Sequence, residues 1–284
     1  MPLLDKGSED ARNIDRALAE WRQGDVALDE PWFSHVADPS RPLTEVSAQA
    51  NGEIQPLISE VAGLIMLTQS CDIVRSCVDR PFLEVAPLEK VEPGVLEQIR
   101  KGLRPAFAFV PATADIGLVA DLDRVMTVEK AVAMNWKRRQ GCSTDAERRD
   151  FAQALTRKRA RFAFPDDFVA LTPYLQKRIQ EKHDRQTDVG RALRALREIR
   201  VVAVPSWDSD KIELFFWFIR DETDPVQRHW PSLVADVLKL VPVKGRFNLI
   251  EGQVTTLCDI TAKDYVDSDP LDLDHLSGRS APGM

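Results

Sequence analysis

The sequence predicts an α+β fold: a barrel-like antiparallel β core, a helical insertion at about 143–199, and further C-terminal strands. Three observations carry this. Short apolar and β-branched runs bounded by Pro and Gly lie in both the first and last thirds of the chain. Between them, capped segments with helical spacing follow one another. The order helix, strands, helices, strands is that of an α+β protein and not of a regular βαβ array. With 284 residues, 44 % hydrophobic and 29 % charged, the chain has a globular composition and enough length to bury a sizeable core.

From the N-terminus, Ile14, Ala17, Leu18 and Trp21 recur at helical spacing after Ser8, which is a good N-cap, so 9–22 reads as an amphipathic helix. Gly24-Asp25-Val26-Ala27-Leu28 reads as a short strand, and Asp38-Pro39-Ser40-Arg41-Pro42 as loop. Val61 to Thr68 is an almost unbroken apolar run, the pattern of a strand buried on both faces. Phe82 to Ala86 forms a second strand between Pro81 and Pro87, leaving 69–81 as a long connection. A short helix around 93–103, a strand at Ala106–Val110 and an extended segment from Leu118 to Val128 complete an N-terminal domain, 1–135.

Residues 136–200 read as a basic helical insertion, with helices from Ser143 onward, at 168–184 and at 187–199. Strands at Val201–Val204 and Ile212–Ile219, a helix at 225–240 and a strand at 246–257 form a C-terminal segment, 201–262. Residues 263–284 are acidic and end in Gly and Pro, the composition of a solvated flexible tail.

The longest apolar run, Val61–Leu67, is far short of the roughly 20 residues a membrane helix needs. No basic head and apolar h-region open the chain, so it is expected in the cytoplasm, without membrane association. Cys71, Cys77, Cys142 and Cys258 are too sparse for a disulfide framework and are not spaced for zinc. No metal or cofactor motif appears, because Walker, dinucleotide and H-E-x-x-H patterns are absent from the sequence.

The richest chemistry lies in Thr68-Gln69-Ser70-Cys71-Asp72, where polar and nucleophilic side chains end a buried strand. An enzyme site in the loop after Thr68 would use Cys71 as nucleophile or Asp72 as acid/base, helped by Ser70, with Arg75 or Arg80 holding an anionic substrate. The plainer interpretation makes Cys71 a small buried apolar residue and its neighbours the caps of a turn. Cys71-Asp72-Ile73 recurs as Cys258-Asp259-Ile260, again just after a strand.

Gly24-Asp25-Val26, the apolar Leu64 to Thr68, and Phe82 to Leu88 closing on Pro-Leu resemble, in that order, the strands of the PemK/MazF-like small β-barrel. The resemblance spans about 20–130. It implies a barrel fold in a toxin–antitoxin- or defence-like prokaryotic system. The Arg-Pro that the family's ribonucleases carry before the apolar strand is replaced by Val61-Ala62-Gly63, and the Ser/Thr after Pro-Leu by Glu89-Lys90, so the fold is implied without the activity.

The formal charge is −7, yet residues 136–200 hold 17 Lys/Arg against 9 Asp/Glu, a local excess of +8. Lys137, Arg138 and Arg139 beside Trp136, and Arg191, Arg194 and Arg197 at a spacing that would put them on one helix face, could neutralise phosphates while an aromatic stacks on a base. The competing interpretation is a solvated helix surface docked on acidic parts of the chain or on a protein partner. Asp121/Asp123 and the other close carboxylate pairs, Asp166/Asp167 and Asp272/Asp274, read as turn and surface residues, and Phe215-Phe216-Trp217-Phe218 as core. Taken together these features describe a cytoplasmic interaction protein that binds nucleic acid or a protein partner. The alternative is an enzyme centred on Cys71 or Asp72.

Overall fold

The computed structural model describes residues 3–271 except 101, 103, 161, 184, 221, 223–229 and 240. The chain forms two compact units, Met1–Ala160 and Arg161–Met284. The basic segment 136–200 is thus shared between the two. The fold is α+β, with helices and largely antiparallel sheets. Among the described residues no ring of strands closes, and no helix is long and apolar enough to cross a membrane.

In the first unit, α1 (Glu9–Leu18) starts where the Ser8 hydroxyl accepts the Ala11 N–H, and it buries Ala11, Ile14 and Leu18. It ends four residues earlier than the spacing suggests, although Trp21 beyond it is also buried. β1 (Val26–Ala27), β2 (Trp32–Ala37), α2 (Glu45–Gln49), β3 (Gln55–Glu60), β4 (Leu64–Met66), α3 (Ser70–Ile73) and β5 (Phe82–Lys90) follow. Next come α4 (Pro93–Arg100), β6 (Phe107–Ala108), a 3₁₀ turn at Pro111–Ile116, β7 (Leu118–Asp121), β8 (Met126–Glu129), α5 (Lys130–Ala133) and α6 (Asp145–Arg159).

β5 is the axis of this unit. β4, with β1 beyond it, pairs along one edge; β8 and then β7, with β6 beyond, share the other. The strand runs through Pro87, which composition places at its end. Pro87 pairs with Leu64 in β4, while on the opposite edge it falls in the gap between Val85, the last partner of β8, and Leu88, the first of β7. Since Leu88 donates to Gly63 on the β4 side, the missing N–H of Pro87 would have pointed into that gap, where no ladder bond is lost. β2 and β3 form a separate two-stranded ribbon from residues without a clear strand pattern. The single segment 118–128 resolves into β7 and β8 because residues 122–125 turn between them.

In the second unit lie α7 (Asp166–Val169), α8 (Pro173–His183), α9 (Asp188–Arg194), β9 (Leu196–Val204), β10 (Ile212–Arg220), α10 (Trp230–Leu238), β11 (Phe247–Thr255), α11 (Ala262–Val266) and β12 (Asp269–Pro270). The sheet order is β11-β10-β9-β12; β10 and β11 are parallel, joined through α10, so one βαβ crossover sits in an otherwise antiparallel sheet. Leu214, Phe216 and Phe218 of β10 form the core with Val234 and Val237 of α10, Ile199 and Val201 of β9, and Phe168. The helix predicted over 187–199 stops at Arg194, and β9 takes over, because Ile199, Val201 and their neighbours pair along the length of β10. The segment read as a tail is ordered as far as Leu271, which is buried; 272–284, including Asp272, Asp274 and His275, lie outside the described residues.

Candidate functional site

Residues 67–84 fold into one wall of an open cleft of about 930 Å³ in the first unit. Leu67, Thr68, Gln69 and Asp72 line it from the end of β4 and from α3, Arg80 to Glu84 from the start of β5, and Leu155, Thr156 and Arg159 from α6. The cleft mouth is thus the connection singled out by composition, closed on the far side by a helix 75 residues away in sequence, through an ion pair from Arg159 Nη2 to Glu84 Oε2 of 2.8 Å.

Local hydrogen bonding fixes the first wall. Thr68 Oγ1 accepts the Glu84 N–H at 2.6 Å, and the Leu67 and Thr68 N–H groups both donate to the Glu84 carbonyl. Gln23 Nε2 donates to the Leu67 carbonyl at 2.7 Å, and the Gln23 N–H donates to Ser70 Oγ at 3.1 Å. Below α3 lies Lys130, only 1 % exposed, whose Nζ donates to the carbonyls of Asp72 at 2.9 Å and Arg75 at 2.6 Å. A buried ammonium on two carbonyls at a helix C-terminus matches both their unused acceptors and the negative end of the dipole. Burial pushes its pKa down, countered by Asp15, Cys77 and Asp72.

The residues proposed for catalysis therefore have identifiable places. Ser70 anchors Gln23; Asp72 lines the cleft and pairs with Arg75 at 3.5 Å; Arg75 is exposed. Cys71 is exposed, does not line the cleft, and points its thiol at Gln69 Oε1, 3.7 Å away. The cleft lining holds no histidine. Cys77 and Cys142 are buried, and burial raises both thiol pKa values, that of Cys142 to about 11. Among the described residues no cluster of His, Cys, Asp and Glu is placed to hold a metal.

The basic residues are largely engaged within the chain. Arg138 donates from Nε to the buried carboxylate of Asp25 at 2.6 Å, and the same carboxylate accepts the N–H groups of Arg22 at 2.8 Å and Gly141 at 3.2 Å. Arg138 thus neutralises a buried charge while about a third of its own side chain stays exposed. Lys137 pairs with Asp29 at 2.9 Å, and Arg139 donates to the Ala112 carbonyl at 2.6 Å; both side chains are exposed. In α6, Arg157 binds the Gly102 carbonyl, Lys158 binds Asp123, and Arg159 binds Glu84, so three consecutive cations seat the helix end. Arg191 pairs with Asp188, and Arg194 donates to the Arg185 carbonyl, both on α9, whereas Arg197 stands on β9; the three do not share a helix face. Arg200 is buried, held by Ser268 and stacked on Tyr265 at 4.1 Å.

The sequence pointed to Arg80 but not to its neighbour Phe82, and together they give the cleft its character. Phe82 is 58 % exposed at the mouth. Beside it the exposed Arg80 has no hydrogen bond or ion pair to its side chain among the described residues. The cleft acids are matched: Asp72 by Arg75, Asp79 by Lys6 at 2.6 Å, and Glu84 by Arg159. Arg80 is the unmatched charge. The dipeptide Arg80-Pro81 ahead of an apolar strand was the available signal, since an exposed Phe in first position on a strand has no core partner. Lys130 left no signal, because its burial depends on residues 55 and 58 positions away. No family model matches this chain, and no curated protein matches it.

Proposed function

We propose that this chain is a nucleic-acid-binding interaction protein whose first unit takes a single-stranded segment in the cleft beside Thr68. The observation that carries it is the juxtaposition of exposed Phe82 with the unmatched Arg80 at the rim of a cleft whose acids are otherwise paired. An aromatic face stacks a base and a free guanidinium neutralises its phosphate. Action as a component of a toxin–antitoxin- or defence-like system, on a barrel-like core, belongs to the same proposal. In its support, the segments Gly24-Asp25-Val26, Leu64 to Thr68 and Phe82 to Leu88 contribute Val26, Leu64–Met66 and Phe82–Leu88 to β1, β4 and β5, which are neighbours in one sheet. An enzyme centred on Cys71 or Asp72 has less support, because the thiol faces Gln69 and the carboxylate is paired.

The test is fluorescence anisotropy of a labelled single-stranded oligoribonucleotide, and its DNA counterpart, across a salt series. Affinity is expected to fall linearly in log–log form with salt, and Arg80→Glu and Phe82→Ala each to weaken it by about tenfold or more. Absence of binding at low salt would overturn the proposal.

A further inference from the structure

The ribbon of β2 and β3 exposes one apolar face. In its register Val36 lies opposite Pro56 and Ser34 opposite Ile58, so Val36, Pro56 and Ile58 share a face, while Phe33 on the other face is buried in the core. Val36 and Ile54 are each 70 % exposed, Ile58 69 %, and Leu43 in the connecting loop 96 %. Four large aliphatic side chains so exposed within one supersecondary element exceed the scattered singles an ordinary surface carries.

The backbone adds a second property. The Ser34 N–H donates to Met126 Sδ at 3.3 Å, away from β3, so Ser34 and Ile58 form a non-hydrogen-bonded pair. The N–H and C=O of Ile58 must then face the outer edge of β3, where among the described residues no further strand pairs. That edge offers a donor and an acceptor next to the apolar face, the combination that accepts an added strand.

Charge identifies the occupant. Residues 32–60 hold Asp38, Glu45, Glu53 and Glu60 against Arg41 alone, a net of −3, and Glu45, Glu53 and Glu60 are exposed with no ion pair among the described residues. A phosphate backbone is repelled here and a basic chain attracted. We propose that the β2–β3 ribbon docks a basic, apolar-faced polypeptide segment of a protein partner, added as a strand along the outer edge of β3. This surface is independent of the cleft, and Arg80→Glu leaves it intact.

The experiment uses the full chain with two labelled peptides of equal length, one alternating Lys and Val, the other Glu and Val, followed by anisotropy and by amide exchange at 54–60. The Lys/Val peptide is expected to bind and to protect the Ile58 amide, with the Glu/Val peptide at least about tenfold weaker. Ile58→Pro, which removes the edge donor, and Val36→Lys, which adds charge on the exposed face, should each weaken binding by about tenfold or more, with unchanged thermal midpoint confirming the fold of Val36→Lys. Equal binding of both peptides, or undiminished binding by both variants, would overturn the proposal. So would protection of the same amides by an oligonucleotide, or a dimer dissociated by Val36→Lys, which would make the occupant a second copy.

Discussion

Lys130 donates to the backbone carbonyl of Asp72 at 2.9 Å from a position with 1 % of its surface exposed, so the floor of the cleft is held by a buried ammonium 58 residues away in sequence. Replacing it with Met keeps the volume but leaves two carbonyls, those of Asp72 and Arg75, without a donor. Lys130→Met is expected to destabilise the protein by about 2–4 kcal/mol, read from the urea midpoint at constant slope. A variant as stable as the parent would show that water replaces the ammonium.

Asp25 gives a second case. Its buried carboxylate is balanced by Arg138 and two backbone N–H groups. Arg138→Gln is expected to cost about 3–5 kcal/mol, because a charge is left buried without its counterion, and to leave oligonucleotide affinity unchanged wherever the variant is folded. A selective loss of binding at full stability would return Arg138 to the ligand surface.

The thiols divide by exposure. Cys71 and Cys258 are exposed while Cys77 and Cys142 are buried. Two equivalents of a chromogenic disulfide reagent should react with the native protein and four after denaturation. Cys71→Ser should leave oligonucleotide binding as it was; a binding defect in that variant would revive a direct role for the sulfur.

Cys142 also makes a pH prediction. Burial raises its pKa from 9.0 to about 11, with Glu147 and Asp25 adding to the shift. The folded state retains a proton that the unfolded chain releases, so its contribution is fully present below pH 9 and is lost as pH rises through about 11. Within that window the slope is about −1.4 kcal/mol per pH unit, and chemical denaturation at graded pH should show it absent from Cys142→Ala.

Segments with strong periodicity were legible from composition: α1 with its Ser8 cap, α6 beginning just after Ser143, and the apolar β4 and β10. The ribbon was not. β3 contains Pro56 and shows side chains that alternate between half-buried and exposed, so its apolar residues do not form the inward stripe that marks a strand. Arg197 was misplaced because a three-residue basic spacing is compatible with a helix, while pairing with β10 decided for strand from Leu196 onward. The cleft was half visible. Its polar loop stood out, but Arg159, which closes the far side, and Lys130 beneath it come from distant sequence positions that only the fold brings near.

Gly24 and Gly141 cross so closely that a Cβ built on Gly141 would stand 1.8 Å from the Gly24 carbonyl oxygen. The contact joins residues at opposite ends of a 117-residue span, and the Asp25 carboxylate lies against it. During synthesis, therefore, the first strand emerges with a carboxylate whose counterion and second backbone donor are made more than 110 residues later. A nascent chain released before Arg138 carries the buried Asp25 carboxylate without its counterion or the Gly141 donor, while one released at Ala160 carries both.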